Sequence, residues 1–391
     1  MNAVCLYHPR LADQVYSLRP LKFELAEKTI KVGIIGAGGV AEGHAQVYKQ
    51  IPWVELIGVA DINETRAKDA AKKWGLPEDR AFTDYHQLLD LHPDAVSVCT
   101  WHKAHAPVTI DALNAGVNVL VEKPMATTGE EAYSMYKAAQ KNGKVLMVGF
   151  QSRYNPELIA AKKFVDAGFL GKPYFAEATG IQNEGDRRRG IPGGNFIKAD
   201  TAAGGVNLDI GVYSLDNLLY LLDSPNPLSV TAISVDYLGH DESASKVVGA
   251  WGWNPKELQV EEFSAALIRF EDDLVMTYKR AWAMHAETLG TPFLLGTKGG
   301  LSFNPLTLYT DMNGYMVNIN PVHLPSGRVQ GEQEPWFFKR GVDFVTAVRD
   351  GTNPPIDTKG IVKLHYVIDG IYESSRVGHE VKLNLPADLT Q

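Results

Sequence analysis

The run Lys31-Val32-Gly33-Ile34-Ile35-Gly36-Ala37-Gly38-Gly39-Val40-Ala41 decides the fold. A short apolar stretch stops at Gly36, and a helix-like pattern resumes after Gly39. That order is strand, tight turn, helix. Gly36 permits the turn, Gly38 lets a phosphate approach bare backbone, and small Ala41 allows close helix–strand packing. The new helix start presents free N–H groups and the positive end of its dipole to an anion. Glycine-rich turns also close ordinary β–α units, so the surrounding chain has to decide.

Outward from this turn, residues 30–148 alternate between strand-like and helix-like runs. Strands are expected over 54–60, 94–99, 117–121 and 144–148, and helices over 64–74, 105–115 and 130–142. Such alternation means parallel strands joined by right-handed crossovers, with helices on both faces. The strand ends carry the unusual residues: Asp61, then Thr100-Trp101-His102, then Glu122-Lys123-Pro124. In an open α/β sheet that edge is where ligands bind. Asp61 lies 25 residues beyond Gly36, near the distance at which an acid takes the ribose hydroxyls of a dinucleotide. A carboxylate there repels a 2′-phosphate, and Arg66, on a helix, is read as solvated. NAD is therefore favoured over NADP.

After Val148 the pattern changes. A helix over 156–168 precedes strand-like runs at 174–179, 229–237, 263–270, 274–282, 293–296, 306–310 and 315–319, separated by Gly, Asn, Asp and Pro. Consecutive strands with short turns imply a mainly antiparallel sheet, making this half α+β. Two helices, 336–349 and 361–376, finish the chain. Between the strands, residues 208–222 read as one α-helix with Leu208, Val212, Leu215, Leu219 and Leu222 on its apolar face. Asp209 and Tyr213, at i and i+4, are then neighbours on another face. Gly204-Gly205 just before lets the backbone turn tightly, as close approach to a ligand would require.

At 391 residues the chain is long enough for two domains. We expect an extension at 1–29, a nucleotide-binding domain at 30–150, and a substrate-binding and oligomerisation domain at 151–391. A net charge of −8 speaks against a nucleic-acid partner, whose phosphates call for Lys and Arg. The basic run Arg187-Arg188-Arg189 sits beside Glu184 and Asp186, so it is a solvated loop, a lid or a contact for an acidic sugar. Cys5 and Cys99 are the only cysteines, expected as free thiols in a reducing compartment without zinc spacing. No window approaches the roughly 20 apolar residues of a membrane span, and 1–29 lacks a signal-type apolar core. Cytoplasmic residence is the default. The extension is either an arm on another subunit or a loose tail.

Together these motifs resemble the glucose-fructose oxidoreductase / inositol dehydrogenase / MocA (Gfo/Idh/MocA) family. The resemblance runs through the glycine turn, Asp61, His105 and Glu122-Lys123-Pro124. It continues through Arg153-Tyr154-Asn155-Pro156, Gly204-Gly205 to Asp209 and Tyr213, and Gly296-Thr297-Lys298-Gly299-Gly300. It implies a Rossmann domain followed by an α+β domain with an open sheet that mediates association, hence a homodimer or homotetramer. The implied chemistry is hydride transfer between nicotinamide and a ring carbon of a sugar, glycoside or cyclitol. Cofactor contacts carry over to Gly36, Gly38, Gly39, Val40, Asp61, Thr100, Trp101, His105, Glu122 and Lys123. Lys123, Asp209 and Tyr213 carry over as catalytic and substrate-binding, with Arg153 and Tyr154 beside the substrate. The family most often has a histidine where this chain has Tyr213, and Thr-Pro-Asn where it has Thr100-Trp101-His102.

Oxidising an alcohol needs an acceptor for the hydroxyl proton. A tyrosine, with an ordinary pKa of about 10, is too weak a base near neutrality, and a nearby Lys123 cation favours its phenolate. Tyr213 is thus expected as proton acceptor, Lys123 as its electrostatic partner and the group holding the alkoxide, and Asp209 as the orienting group. His102 and His105 are spaced like a metal pair but lack a third ligand in sequence, so no metal is expected. Trp101, Trp251, Trp253 and Trp282 are candidates to stack on a sugar, or plain core residues. Two other functions share these motifs: an NAD-dependent glycosidase that oxidises the ring transiently before elimination, and a non-catalytic nucleotide-dependent sugar sensor.

Overall fold

The apolar run ahead of the glycines forms β1 (Ile30–Ile35), with Ile30, Val32, Ile34 and Ile35 all buried, as a parallel strand covered on both faces requires. It sits mid-sheet with β2 (Val54–Ala60), β3 (Ala81–Phe82), β4 (Ala95–Val98), β5 (Asn118–Val121) and β6 (Leu146–Val148). The order is β3-β2-β1-β4-β5-β6, with parallel pairing throughout. The computed structural model describes residues 28–179, 190–246, 253–286, 288–322, 324 and 335–390. The extension ahead of Lys28, the 187–189 arginines, Cys5 and Trp251 lie outside the described residues.

Helices α1 (Gly39–Lys49), α2 (Glu64–Trp74), α3 (Tyr85–Leu89), α4 (His102–Asn114) and α5 (Gly129–Asn142) cover this sheet. Their limits are set locally. Asn63 and Thr128 accept the amides of Arg66 and Glu131 at the starts of α2 and α5, while Gly75 and Gly143 close them in the left-handed region. β3 and α3 escape the sequence pattern, being too short to show a period. α4 begins at His102 rather than at 105 and holds Pro107 inside it. The sheet runs outward in both directions from β1 and β4, so the turns after these two strands part and leave a crevice at the carboxyl edge.

The second half begins with α6 (Pro156–Asp166), and its sheet comprises β7 (Pro173–Ala178), β8 (Pro227–Val235), β9 (Phe263–Phe270), β10 (Val275–Ala281), β11 (Phe293–Gly296), β12 (Gly299–Ser302), β13 (Thr307–Met312), β14 (Tyr315–Ile319) and β15 (Val381–Lys382). Their order is β14-β13-β12-β11-β7-β10-β9-β8-β15. β7 pairs with β10 in parallel; the other neighbours are antiparallel. β12 escapes a sequence reading because Gly299-Gly300 looks like a turn. In register across one face, Leu308, Leu301, Leu294, Ala176, Met276, Ile268 and Val230 are all buried, which places the core on that side. Among the described residues the remaining α-helices are α7 (Ala199–Ala202), α8 (Val212–Leu221), α9 (Pro335–Asp350), α10 (Thr358–Val377) and α11 (Ala387–Thr390).

The expected helix at 208–222 is not uniform. It opens with a π-helical turn, Asn207–Gly211, before α8 continues in α geometry. The Glu261 carboxylate accepts the amides of Gly205 (2.9 Å) and Asn207 (3.0 Å), fixing the entry. Gly204-Gly205 is needed for packing: a Cβ on Gly204 would sit 2.0 Å from the Tyr372 hydroxyl, and one on Gly205 2.0 Å from the Glu261 carbonyl oxygen.

Candidate active site

The crevice between β1 and β4 is a cavity of about 490 Å³, lined by Gly36, Gly38, Gly39, Val40, Asp61, Thr100, Trp101 and His102 among others. Gly36 has φ +94°, and a Cβ there would lie 2.5 Å from the Cys99 carbonyl oxygen. This turn therefore admits glycine alone. Gly36→Ala should combine that clash with left-handed strain, costing about 1–3 kcal/mol. Thermal melting and NADH fluorescence titration would show it as a lower midpoint with weakened nucleotide binding. Gly38 and Gly39 differ: a Cβ on either meets nothing within 4 Å. Their missing side chains leave open space beside the first amides of α1, the cradle a pyrophosphate needs. Asp61, just after β2, accepts the Ala37 and Asn63 amides at 2.8 Å each.

Lys123 follows β5, and Asp209 comes from the π turn, so the pair joins the two halves. The Lys123 ammonium donates to the Asp209 carbonyl (2.8 Å) and to its Oδ1 (3.0 Å), while the Trp282 indole N–H donates to Oδ2 (3.0 Å). Burial opposes the charge on both partners, yet Asp209 holds Lys123 above the usual lysine range and Lys123 holds Asp209 below the usual carboxylate range. The ammonium lies 5.1 Å from the centre of the Tyr213 ring, over its face. Lys123 therefore acts on Tyr213 in the expected direction, toward the phenolate. Burial, opposed by Lys123, pushes the phenol up to about 12. Its hydroxyl has no hydrogen-bond partner among the described residues.

Four expected contacts take other duties. Glu122 turns inward, its Oε1 2.8 Å from both His44 Nε2 and the Arg340 guanidinium, so the carboxylate anchors the strand end beside Lys123 and does not face the cavity. His105 is buried with Nδ1 2.6 Å from the Pro124 carbonyl oxygen and Nε2 3.1 Å from that of Thr100. It pins the backbone after β4 and β5. Arg153 is buried and its guanidinium is taken by Asp216, at 2.9 and 2.7 Å. Tyr154 is buried under Lys339, whose ammonium is 5.5 Å from the ring centre. Neither lines the crevice. Among the tryptophans, Trp101 lines the cavity, Trp253 is buried with its N–H on the Gly239 carbonyl, and Trp282 serves Asp209.

Sequence reasoning misses Arg340, His44 and the indole of Trp282. Arg340 and His44 lie 296 residues apart, with no local pattern linking them. Among the described residues no group of His, Cys, Asp or Glu could hold a metal, and no helix is long and apolar enough to cross a membrane.

Residues 30–150 match the family model described as "Oxidoreductase family, NAD-binding Rossmann fold", and residues 158–302 match "GFO/IDH/MocA C-terminal domain". D-glucoside 3-dehydrogenase of Escherichia coli (strain K12) is 33% identical over 306 residues, covering 76% of this chain and 84% of that protein. Levoglucosan dehydrogenase of Pseudarthrobacter phenanthrenivorans is 28% identical over 295 residues, 71% of this chain and 74% of that one. Among solved structures, an oxidoreductase domain protein from Kribbella flavida has a TM-score of 0.76 at 24% identity, covering 92% of this chain and all of its own; that likeness shows the fold alone. On the two domain matches and a relative aligned over most of its length, the chain belongs to the Gfo/Idh/MocA family of NAD-binding oxidoreductases.

Proposed function

We propose that the protein transfers a hydride between NAD and a hydroxyl-bearing ring carbon of a sugar, glycoside or cyclitol. The carrying observation is the Lys123 ammonium: Asp209 takes two of its bonds, and an ammonium has three N–H donors. The third is left for a ligand oxygen. The names of two relatives, a D-glucoside 3-dehydrogenase and a levoglucosan dehydrogenase, support a sugar or glycoside ring as substrate. Asp61 supports NAD over NADP, since its carboxylate repels a 2′-phosphate.

Bound nicotinamide supplies the hydride chemistry. Lys123 binds the reacting oxygen and stabilises alkoxide character as the proton leaves, and Asp209 keeps the lysine charged and aimed. Tyr213 holds or receives the proton. Because its phenol sits at about 12, the acid form dominates near neutrality and suits reduction of a ketone. Oxidation needs the scarce phenolate, so its rate should climb through the alkaline range. The outer face of the large sheet carries Phe175, Phe293, Leu267 and the exposed Ile233. It is the surface we read as joining copies in a homodimer or homotetramer.

Absorbance near 340 nm, with NAD or NADP and a panel of glycosides, sugars and inositols, tests the reading. Net NADH formation that rises with pH is expected, and Tyr213→Phe should lower kcat by about 10²-fold with NADH binding intact. Full turnover by Tyr213→Phe would remove the tyrosine from this role. Glycoside cleavage without net NADH would favour the glycosidase, and sugar binding without turnover the sensor.

A further inference from the structure

We propose that His102 Nε2 accepts a hydrogen bond from a second hydroxyl of the substrate ring, which makes His102 a specificity-determining residue; this rests on the oxidoreductase reading above. His102 is the first residue of α4 and lines the cavity beside Trp101. Its Nδ1 lies 3.1 Å from the Ala202 carbonyl oxygen. A carbonyl accepts, so the ring proton sits on Nδ1 and Nε2 is left as a bare acceptor. Nε2 has no partner among the described residues.

The ring is held from both halves of the molecule. Ala202 belongs to α7, and Phe196 meets the imidazole edge-on with centroids 6.1 Å apart. His105 stands 6.0 Å away, ring centre to ring centre. Burial, then His105 and Lys123, push His102 down to about 3, against a weaker opposing effect of Asp209. The start of α4 adds its positive dipole end to the same side. His102 is thus held in its neutral form near neutrality. It is too weak a base to take the reacting proton, but well suited to accept a hydrogen bond.

Complementarity with the neighbouring cation points to the ligand. Lys123 offers a donor and demands an oxygen that accepts; His102 offers an acceptor and demands one that donates. Adjacent hydroxyls on a ring meet both demands at once, because each can donate and accept. Lys123 and Asp209 act electrostatically on the imidazole, and His102 itself lines the cavity. A site built to hydrogen-bond a hydroxyl discriminates against analogues that lack it, because its buried acceptor is then left bare.

The test compares wild type, His102→Leu and His102→Gln on the best substrate of the panel and on its monodeoxy analogues. His102→Leu is expected to raise KM about tenfold or more with kcat changed far less. NADH affinity by fluorescence should hold, and His102→Gln, whose carbonyl can accept, should recover part of the loss. One deoxy analogue should be equally poor for wild type and His102→Leu. Three results would overturn the proposal: unchanged KM across the series, a loss confined to NADH binding, or a collapse of kcat with loss of the pH dependence. A wild type inactive on the whole panel and binding none of it would overturn the oxidoreductase reading together with this one. An active wild type matched by His102→Leu would overturn His102 alone.

Discussion

Lys123→Met should lower kcat by about a thousandfold while nucleotide binding survives, since the cradle at Gly38 and Gly39 and the acid at Asp61 do not depend on the lysine. The variant also leaves Asp209 partly buried with the Trp282 indole as its remaining side-chain donor. With the cation gone, burial raises the Asp209 pKa above its unfolded value. The sign follows directly: the resulting stability is present below the unfolded pKa and is lost as pH rises through the folded one. Melting curves should therefore show a variant whose deficit grows from mildly acidic to neutral pH. Adding Asp209→Asn removes the stranded carboxylate. The double variant should regain stability without regaining turnover, separating the lysine's chemistry from its place in the fold. Stopped-flow absorbance near 340 nm and NADH fluorescence give the two readouts; wild-type turnover in either variant would refute the assignment.

Arg340→Leu is expected to destabilise the fold by about 3–5 kcal/mol, more than Gly36→Ala. Arg340 is almost fully buried, and its guanidinium also donates to the Gly149 carbonyl at 2.9 Å. Burial alone would raise the Glu122 carboxyl, but Arg340 and His44 outweigh it and hold the group well below the usual carboxylate range. A carboxylate with a depressed folded pKa contributes stability above its unfolded pKa of about 4.3 and loses it as pH falls below that. Wild type should lose stability on acidification through this window. Arg340→Leu should lose little there, having already lost the interaction. Glu122→Gln added to Arg340→Leu removes the stranded charge and should restore much of the midpoint. Chemical denaturation from pH 3 to 7 checks both; an Arg340→Leu midpoint equal to wild type at pH 7 would show the cluster to be energetically idle.

The residues legible in sequence share one property: their role is stated within a few neighbours. Gly36 needs its conformation because the chain turns there. Asp61 follows its own strand, and Lys123 closes another. Three-dimensional partnership is legible where two such marks converge, as with Lys123 and Asp209. It fails where a side chain turns away from the edge on which its backbone sits. Glu122 and His105 occupy the strand edge yet face inward, and Arg153 stands in a recognisable motif yet answers to Asp216. His102 reads as half of a metal pair because its spacing to His105 is visible, whereas the Ala202 carbonyl that fixes its tautomer lies 100 residues away. Arg340 is silent for the same reason. The π turn hides because its sequence keeps an apolar stripe that an α-helix would keep equally well.

That turn has a consequence for how such a site can change over generations. A π turn corresponds to one residue inserted in a helix. Deleting one residue within Asn207–Gly211 would restore regular winding and rotate what precedes it by about 100° relative to α8. Asp209 would swing off Lys123, while Leu215, Leu218 and Leu219, all buried on the continuing helix, would keep their places. A single insertion or deletion could then switch the reactive pair off or on, at the expense of the buried Val206 and Leu208 that precede α8.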